Sequence, residues 1–495
     1  MSVLQTPDSA AAGSDAAVEQ DASAGAAAAV RRSPPTSSVV VPLVAAVLLL
    51  TVAAVVGALL TRSGSRLYVD APPLIARLIP HVGPGTPAAI LLALLGVVLA
   101  RRWLGRLRWS RLLPLSYLGA LAWTFSLSLI DTGERGWAAP LGEKDEYLHD
   151  LPRVSDVHGF LSSFSDHILD FQPGSWTTHV SSHPPLATLF FWALDRIGLG
   201  GQTWAGIAVI VLGSTVAVSV PITLRALGAA GAARAMVPFG IFFPGAVWVG
   251  TSADGMFAGV LAAGIAAAAW GSTRRSARTA VPWSSIGGVL LGATLYLSYG
   301  LAVAIVLVAA VCWCSWRSVR TRGGSVRLWS SAWAMVVVGV AAVAIWFFTN
   351  GFHWFSALSL LQTRYYQGIA SARPYSYFVW ANLAALVVCA GPAFATSVTT
   401  AARAAWAGVR HGRRTEGAAR RRIGVPALLT AATAIAVLLA DLSGLSKAET
   451  ERIWLPFGVW LLCGVVVLSQ RWRWRLLVLQ IGTALLVNHL LLTHW

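Results

Sequence analysis

Acid, lysine and cysteine are all scarce in this sequence. Asp and Glu number 20 in 495 residues against 37 Lys+Arg, and charged residues of both signs make up only 12%. Lysine occurs only at Lys144 and Lys447, as in chains from GC-rich genomes that favour arginine codons. The four cysteines, Cys312, Cys314, Cys389 and Cys463, lie inside apolar runs without ligand spacing. That excludes a disulfide framework and a thiolate metal centre, and leaves them as small buried hydrophobes. Four histidines, His149, His158, His167 and His179, share one segment with His183, which makes a divalent metal thinkable. No pair of them is assigned to one helix face, so no metal ligand and no required cofactor is expected.

What the chain has in abundance is apolar surface. Hydrophobic residues reach 56%, in runs of 15–23 residues that recur from residue 38 onward. About 20 apolar residues in a helix cross a hydrocarbon core of ~30 Å. The expected fold is therefore an all-α polytopic membrane protein. Thirteen spans are expected, at 38–60, 86–101, 112–130, 203–225, 236–250, 255–271, 284–298, 299–316, 330–348, 376–398, 425–442, 453–469 and 476–493. The net charge of +17 does not imply nucleic acid. The arginines sit in short clusters between apolar runs, at 101–111, 273–278, 317–322 and 403–422, as the positive-inside rule requires of cytoplasmic loops.

This threading leaves 1–37, rich in Ala, Ser, Asp and Pro, as a disordered cytoplasmic tail. Residues 38–111 form two extra N-terminal spans and 112–495 the main body. Outer segments fall at 131–202, 349–375 and 443–452. The first is the odd one, because long loops in compact bundles are uncommon unless functional. It also holds nine of the 20 acids between Asp131 and Asp170, with Glu143, Asp145, Glu146 and Asp150 in the stretch EKDEYLHDLPRV. Within it, 154–171 carries apolar residues at helical spacing and 183–200 opens with two prolines. The first reads as an interfacial helix and the second as an interfacial or re-entrant one.

Asp145-Glu146, an interfacial helix, and then His183-Pro184-Pro185-Leu186 opening a second one together resemble the GT-C membrane glycosyltransferases. Protein O-mannosyltransferases and actinobacterial mannosyl- and arabinosyltransferases are the nearest types. Asp254, at the outer start of a later helix, and KAETERIWLPF (447–457) fit the same pattern. The resemblance implies a polyprenyl phosphate sugar as donor, mannosyl or arabinosyl, and a glycan, lipid or protein hydroxyl as acceptor. It places the active site on the outer face of the plasma membrane and implies inversion at the anomeric carbon. The acidic pair follows the third expected span rather than the first, a departure that leaves open which carboxylate does the work.

The chemistry gives each residue type a role. An acceptor hydroxyl loses its proton as it attacks, and a positioned carboxylate contributes roughly 10²–10⁴-fold as general base. Asp145 is the first candidate, then Glu146, then Asp131 at the mouth of the third span. The leaving phosphate calls for cations, and arginine binds it in a bidentate fashion. Arg364, Arg373, Arg452 and Lys447 stand on expected outer segments, with Tyr365 among them. His183 and Asp254 are further candidates for substrate binding, although Asp254 also suits a helix N-cap. A transporter or flippase of glycolipid precursors is the alternative. That class favours internal repeats and polar residues at mid-membrane, and neither is found.

Overall fold

The computed structural model describes residues 36–102, 106–131, 139–412 and 424–493. The expected tail lies almost wholly outside them, as do Glu134, Arg135 and the arginines at 413–422. Among the described residues, seven helices are long and apolar enough to cross a membrane, or eight if one bent pair forms a single span. The protein is an all-α, multi-pass membrane protein. Its one sheet among the described residues is a two-stranded antiparallel ribbon, Ala76–Leu78 against Leu491–Thr493, with Ala76 opposite Thr493.

The count of thirteen full spans is where the structure departs from expectation, because several apolar runs are broken. Run 236–250 ends its helix at Ile241, and Pro244 separates it from the short Ala246–Val249 turn. Run 453–469 divides into Thr450–Ile453, Leu455–Leu461 and the 3₁₀ turn Leu462–Val467. Run 376–398 bends by 110° between Tyr375–Cys389 and the following helix. The bend has a sequence cause. Gly391 takes φ +76°, and Pro392 has no N–H to continue the ladder. Gln480 meets the backbone groups left over: its Nε2 donates to Ala390 O (2.7 Å) and its Oε1 accepts from Ala393 N (3.3 Å). Lipid cannot satisfy such groups, so a side chain from a neighbouring helix does. The expected pair 284–298 and 299–316 is indeed two helices, parted at Ser298, whose backbone is extended.

Asp254–Ser272 is the central helix, and it owes that place to small side chains. A Cβ on Gly259 would lie 2.0 Å from Leu212 O, and one on Gly255 2.3 Å from Val249 O. Backbones approach this closely only where a residue has no side chain. Ala277–Leu297 and Val326–Thr349 meet in the same way through Gly288 and Gly339.

The two ends of this bundle differ in chemistry. At one end, Arg225 and Arg234 lie over Trp109, Arg234 donates to Leu107 O, Arg274 lies over Trp270, and Arg403 donates to Ser38 O. At the other, about 28 Å away along the central helix, all the expected outer segments converge. Arg373 binds Leu67 and Tyr68, Asp170 N donates to Gln367 Oε1, and Lys447 N donates to the Tyr365 hydroxyl. Within 154–171, Asp156 caps the Val157–Ser163 helix through Gly159 N. Its apolar residues Phe160, Leu161, Phe164 and Ile168 are buried, with Phe160 and Phe164 against Trp176 and Phe164 also against Phe352.

Candidate functional site

Glu146 and Asp145 are neighbours with opposite fates. Glu146 begins the short Tyr147–Asp150 helix, which packs on Leu186–Arg196. That turn sends Glu146 inward, only 2% exposed, and leaves Asp145 exposed. Asp145 accepts a hydrogen bond from the Thr178 hydroxyl at 3.3 Å, and its carbonyl accepts from His179 N. Glu146 Oε1 lies 3.5 Å from His179 Nδ1, while Oε2 is buried without a hydrogen-bond partner. Burial pushes the Glu146 carboxyl up to about 8 against the pull of Arg452, and Asp254 and Glu449 add to the rise.

Beside it, the Tyr147 ring is enclosed by His179, His183 and Phe191, with centroids 6.0, 5.9 and 5.5 Å away. His179 and His183 have the i, i+4 spacing of a helical ligand pair, a signal passed over in the sequence. The helix stops at Ser182, however, and the two rings lie near-parallel with centroids 6.3 Å apart. Among the described residues, no three His, Cys, Asp or Glu side chains are grouped to hold a metal ion.

Across from Glu146 lies an arginine held between two acids. Arg452 Nη1 donates to Asp254 Oδ2 at 2.8 Å, and Nη2 donates to Glu449 Oε2. Asp254 is also bonded by the Ser252 hydroxyl (2.6 Å), and Asp254 N donates back to that hydroxyl oxygen (3.1 Å). Residues 252–254 and 449–452 therefore meet although they are nearly two hundred positions apart. Burial works to raise the Glu449 carboxyl, but Arg452 and Arg373 overcome it and hold the group below its ordinary range. Burial pushes the neighbouring Glu451 up to about 7. The sequence reading used Lys447 and Arg452 from this segment and missed Glu449 and Glu451, although an acid on alternate positions beside an arginine was visible in ETERIW.

The other expected cations are placed differently. Arg373 donates to three carbonyls, Nε to Leu67 (3.2 Å), Nη1 to Lys447 (2.8 Å) and Nη2 to Tyr68 (3.2 Å), and Nη1 also pairs with Glu449 Oε1 at 3.4 Å. Lys447 Nζ donates to Ala370 O at 3.0 Å and lies over the Tyr366 ring. The Tyr365 hydroxyl accepts from Lys447 N, and burial pushes it up to about 12. Arg364 pairs with Asp170 and bonds the Ser181 hydroxyl. Asp131 pairs with His81 Nε2 at 2.7 Å, beside the ribbon rather than among the residues around Glu146. The structure thus brings together Glu146, His183, Asp254 and Arg452 of the expected residues. Asp145 is left at the edge, and Arg364, Arg373, Lys447 and Tyr365 are bound into loop contacts.

No family model and no curated protein matches the sequence. Among solved structures, the chain aligns with the crystal structure of ArnT from Cupriavidus metallidurans in the apo state. The alignment covers 77% of each chain at 15% identity with a TM-score of 0.28, a score at which the likeness lends no weight to fold or function.

Proposed function

We propose that this membrane protein is a glycosyltransferase of the GT-C kind that uses a polyprenyl phosphate sugar, with Glu146 as general base in place of Asp145. The observation that carries the reading is the buried carboxylate of Glu146 beside His179, opposite an Arg452 held by Asp254 and Glu449. A buried carboxyl raised to about 8 is a far stronger base than an exposed aspartate, and lies near the pH at which it has to work. The acceptor oxygen attacks the anomeric carbon while its proton passes to Glu146. The bond from that carbon to the phosphate oxygen breaks, and its electron pair leaves on the polyprenyl phosphate, with inversion. Arg452 is the cation whose charge acts on the base, and it offsets the charge on that phosphate. Arg364, Arg373 and Lys447 hold the outer segments in place.

In this reading the end with Glu146 faces outward from the plasma membrane and the arginine end faces the cytoplasm. The donor is mannosyl or arabinosyl and the acceptor an envelope glycan, lipid or protein. The test is turnover of purified protein with a panel of polyprenyl phosphate sugars. Transfer abolished by Glu146→Gln supports the reading. Movement of glycolipid across vesicles without transfer to any acceptor replaces it with the flippase alternative.

A further inference from the structure

Two polar atoms around the base have no hydrogen-bond partner. Glu146 Oε2 and the Tyr147 hydroxyl are both buried with no partner. Native proteins leave few such groups unpaired, and each exception calls for a cause. Next to them stands His183, whose tautomer follows from its hydrogen-bond partner. His183 Nδ1 lies 3.0 Å from the carbonyl of His179. A carbonyl only accepts, so Nδ1 must carry the proton and donate. Burial lowers the imidazole against Asp254, which favours the neutral ring. In that form Nε2 holds a lone pair and accepts hydrogen bonds. The ring is fixed between Tyr147, His179 and Phe257, with Asp254, Arg452 and Glu449 the charged groups around it. A neutral imidazole is a poor phosphate ligand and a good partner for an O–H.

We propose that Tyr147 and His183 form a hydroxyl-reading subsite beside Glu146, in which the phenol donates to, and His183 Nε2 accepts from, hydroxyls of a neutral sugar ring. The pair supplies one donor and one acceptor, the complement of adjacent hydroxyls. The identity of the sugar as transfer substrate rests on the glycosyltransferase reading; the existence of the subsite does not.

Tyr147→Phe is the cleanest probe, because it removes a hydroxyl that bonds nothing in the resting protein and so should leave folding intact. In the transfer assay it is expected to lower kcat/KM at least about tenfold, since buried polar groups built to bind a substrate O–H discriminate strongly. One monodeoxy analogue should show the same loss with the parent enzyme and no further loss with Tyr147→Phe. If that analogue is a donor, the subsite reads the transferred sugar; if an acceptor, the sugar that receives it. Losses that add for every deoxy analogue overturn the subsite. His183→Phe should behave alike. Nitrogen-15 NMR of the resting protein should show His183 neutral with the proton on Nδ1 at pH 7, and a charged ring or the other tautomer overturns its share. If no polyprenyl phosphate sugar is turned over, saturation-transfer NMR with octyl mannoside and octyl arabinoside on the full chain in nanodiscs decides the matter. Binding that Tyr147→Phe weakens at least about tenfold retains the subsite while the transferase reading falls. No binding, or binding indifferent to both variants, rejects the subsite.

Discussion

Replacing Glu146 with Gln should make the protein more stable, and by an amount that depends on pH. The Glu146 carboxyl is raised from 4.5 to about 8, with burial as the main cause. Between those values the folded protein keeps a proton that the unfolded chain releases. Raising pH through that window therefore favours unfolding, and stability is lost as pH climbs from 4.5 to 8. At about 1.4 kcal/mol per pH unit, the span from 4.5 to about 8 amounts to about 5 kcal/mol. Gln is nearly isosteric, retains an acceptor and a donor for His179, and does not titrate. Below pH 4.5 the variant and the parent should unfold together. Above pH 8 the variant should be the more stable by about 5 kcal/mol, seen as a melting temperature higher by several degrees in detergent. The assay is thermal unfolding of both proteins from pH 4.5 to 9, followed by intrinsic tryptophan fluorescence. A constant difference across that range, or a variant that loses stability as pH rises, would refute the argument that the carboxyl is buried and proton-bound.

Catalysis should separate the acidic neighbours: Glu146→Gln lowers turnover at least about a hundredfold, the low end for a general base, while Asp145→Asn and Asp131→Asn stay within a few-fold of the parent. The reverse order in steady-state assays would return the base to the exposed acid. Because the base must be ionised, kcat/KM should climb about tenfold per pH unit up to an apparent value near 8 and then level, and a rate flat between pH 6 and 8 contradicts this. Arg373→Ala should cost about 3 kcal/mol or more in thermal or denaturant unfolding, since three backbone carbonyls lose a charged donor; a variant that folds normally but has a raised donor KM would make Arg373 a substrate contact instead. Cysteines placed at Ser155 and Ser443 should react with an impermeant thiol reagent from one side of the membrane and one at Ser276 only from the other, and a shared side would undo the two-ended description.

Much of this was legible in the chain. The apolar runs mark the helices, and the arginine clusters mark one end of the bundle, because both signals are local in composition. The breaks were harder to see. Pro244 and Gly391-Pro392 stand inside runs that read as continuous, and only the partner groups, such as Gln480, show that the chain can turn there. At the site, the stretch Asp145-Glu146 holds one exposed and one buried acid, and the sequence reading put the exposed one first. Which of two adjacent carboxylates points inward depends on a four-residue turn packed on a distant helix, and no periodicity encodes that. Arg452 and Asp254 were each noticed without any sign that they bind one another. Arg373 and Lys447 looked like free cations because a sequence does not show which backbone carbonyls will come within reach.

The ribbon between Ala76–Leu78 and Leu491–Thr493 also sets a schedule for biosynthesis. Its strands are 415 positions apart, so at about 5–20 residues per second the first waits on the order of 20–80 s for its mate to leave the ribosome. Until then the early strand has an open edge, at the interface where other chains are being inserted. Arg452 is made only shortly before, so a nascent chain carries Glu146 without that counter-charge for most of its synthesis. A factor that shields the first outer segment during insertion would therefore act on yield rather than on the finished protein.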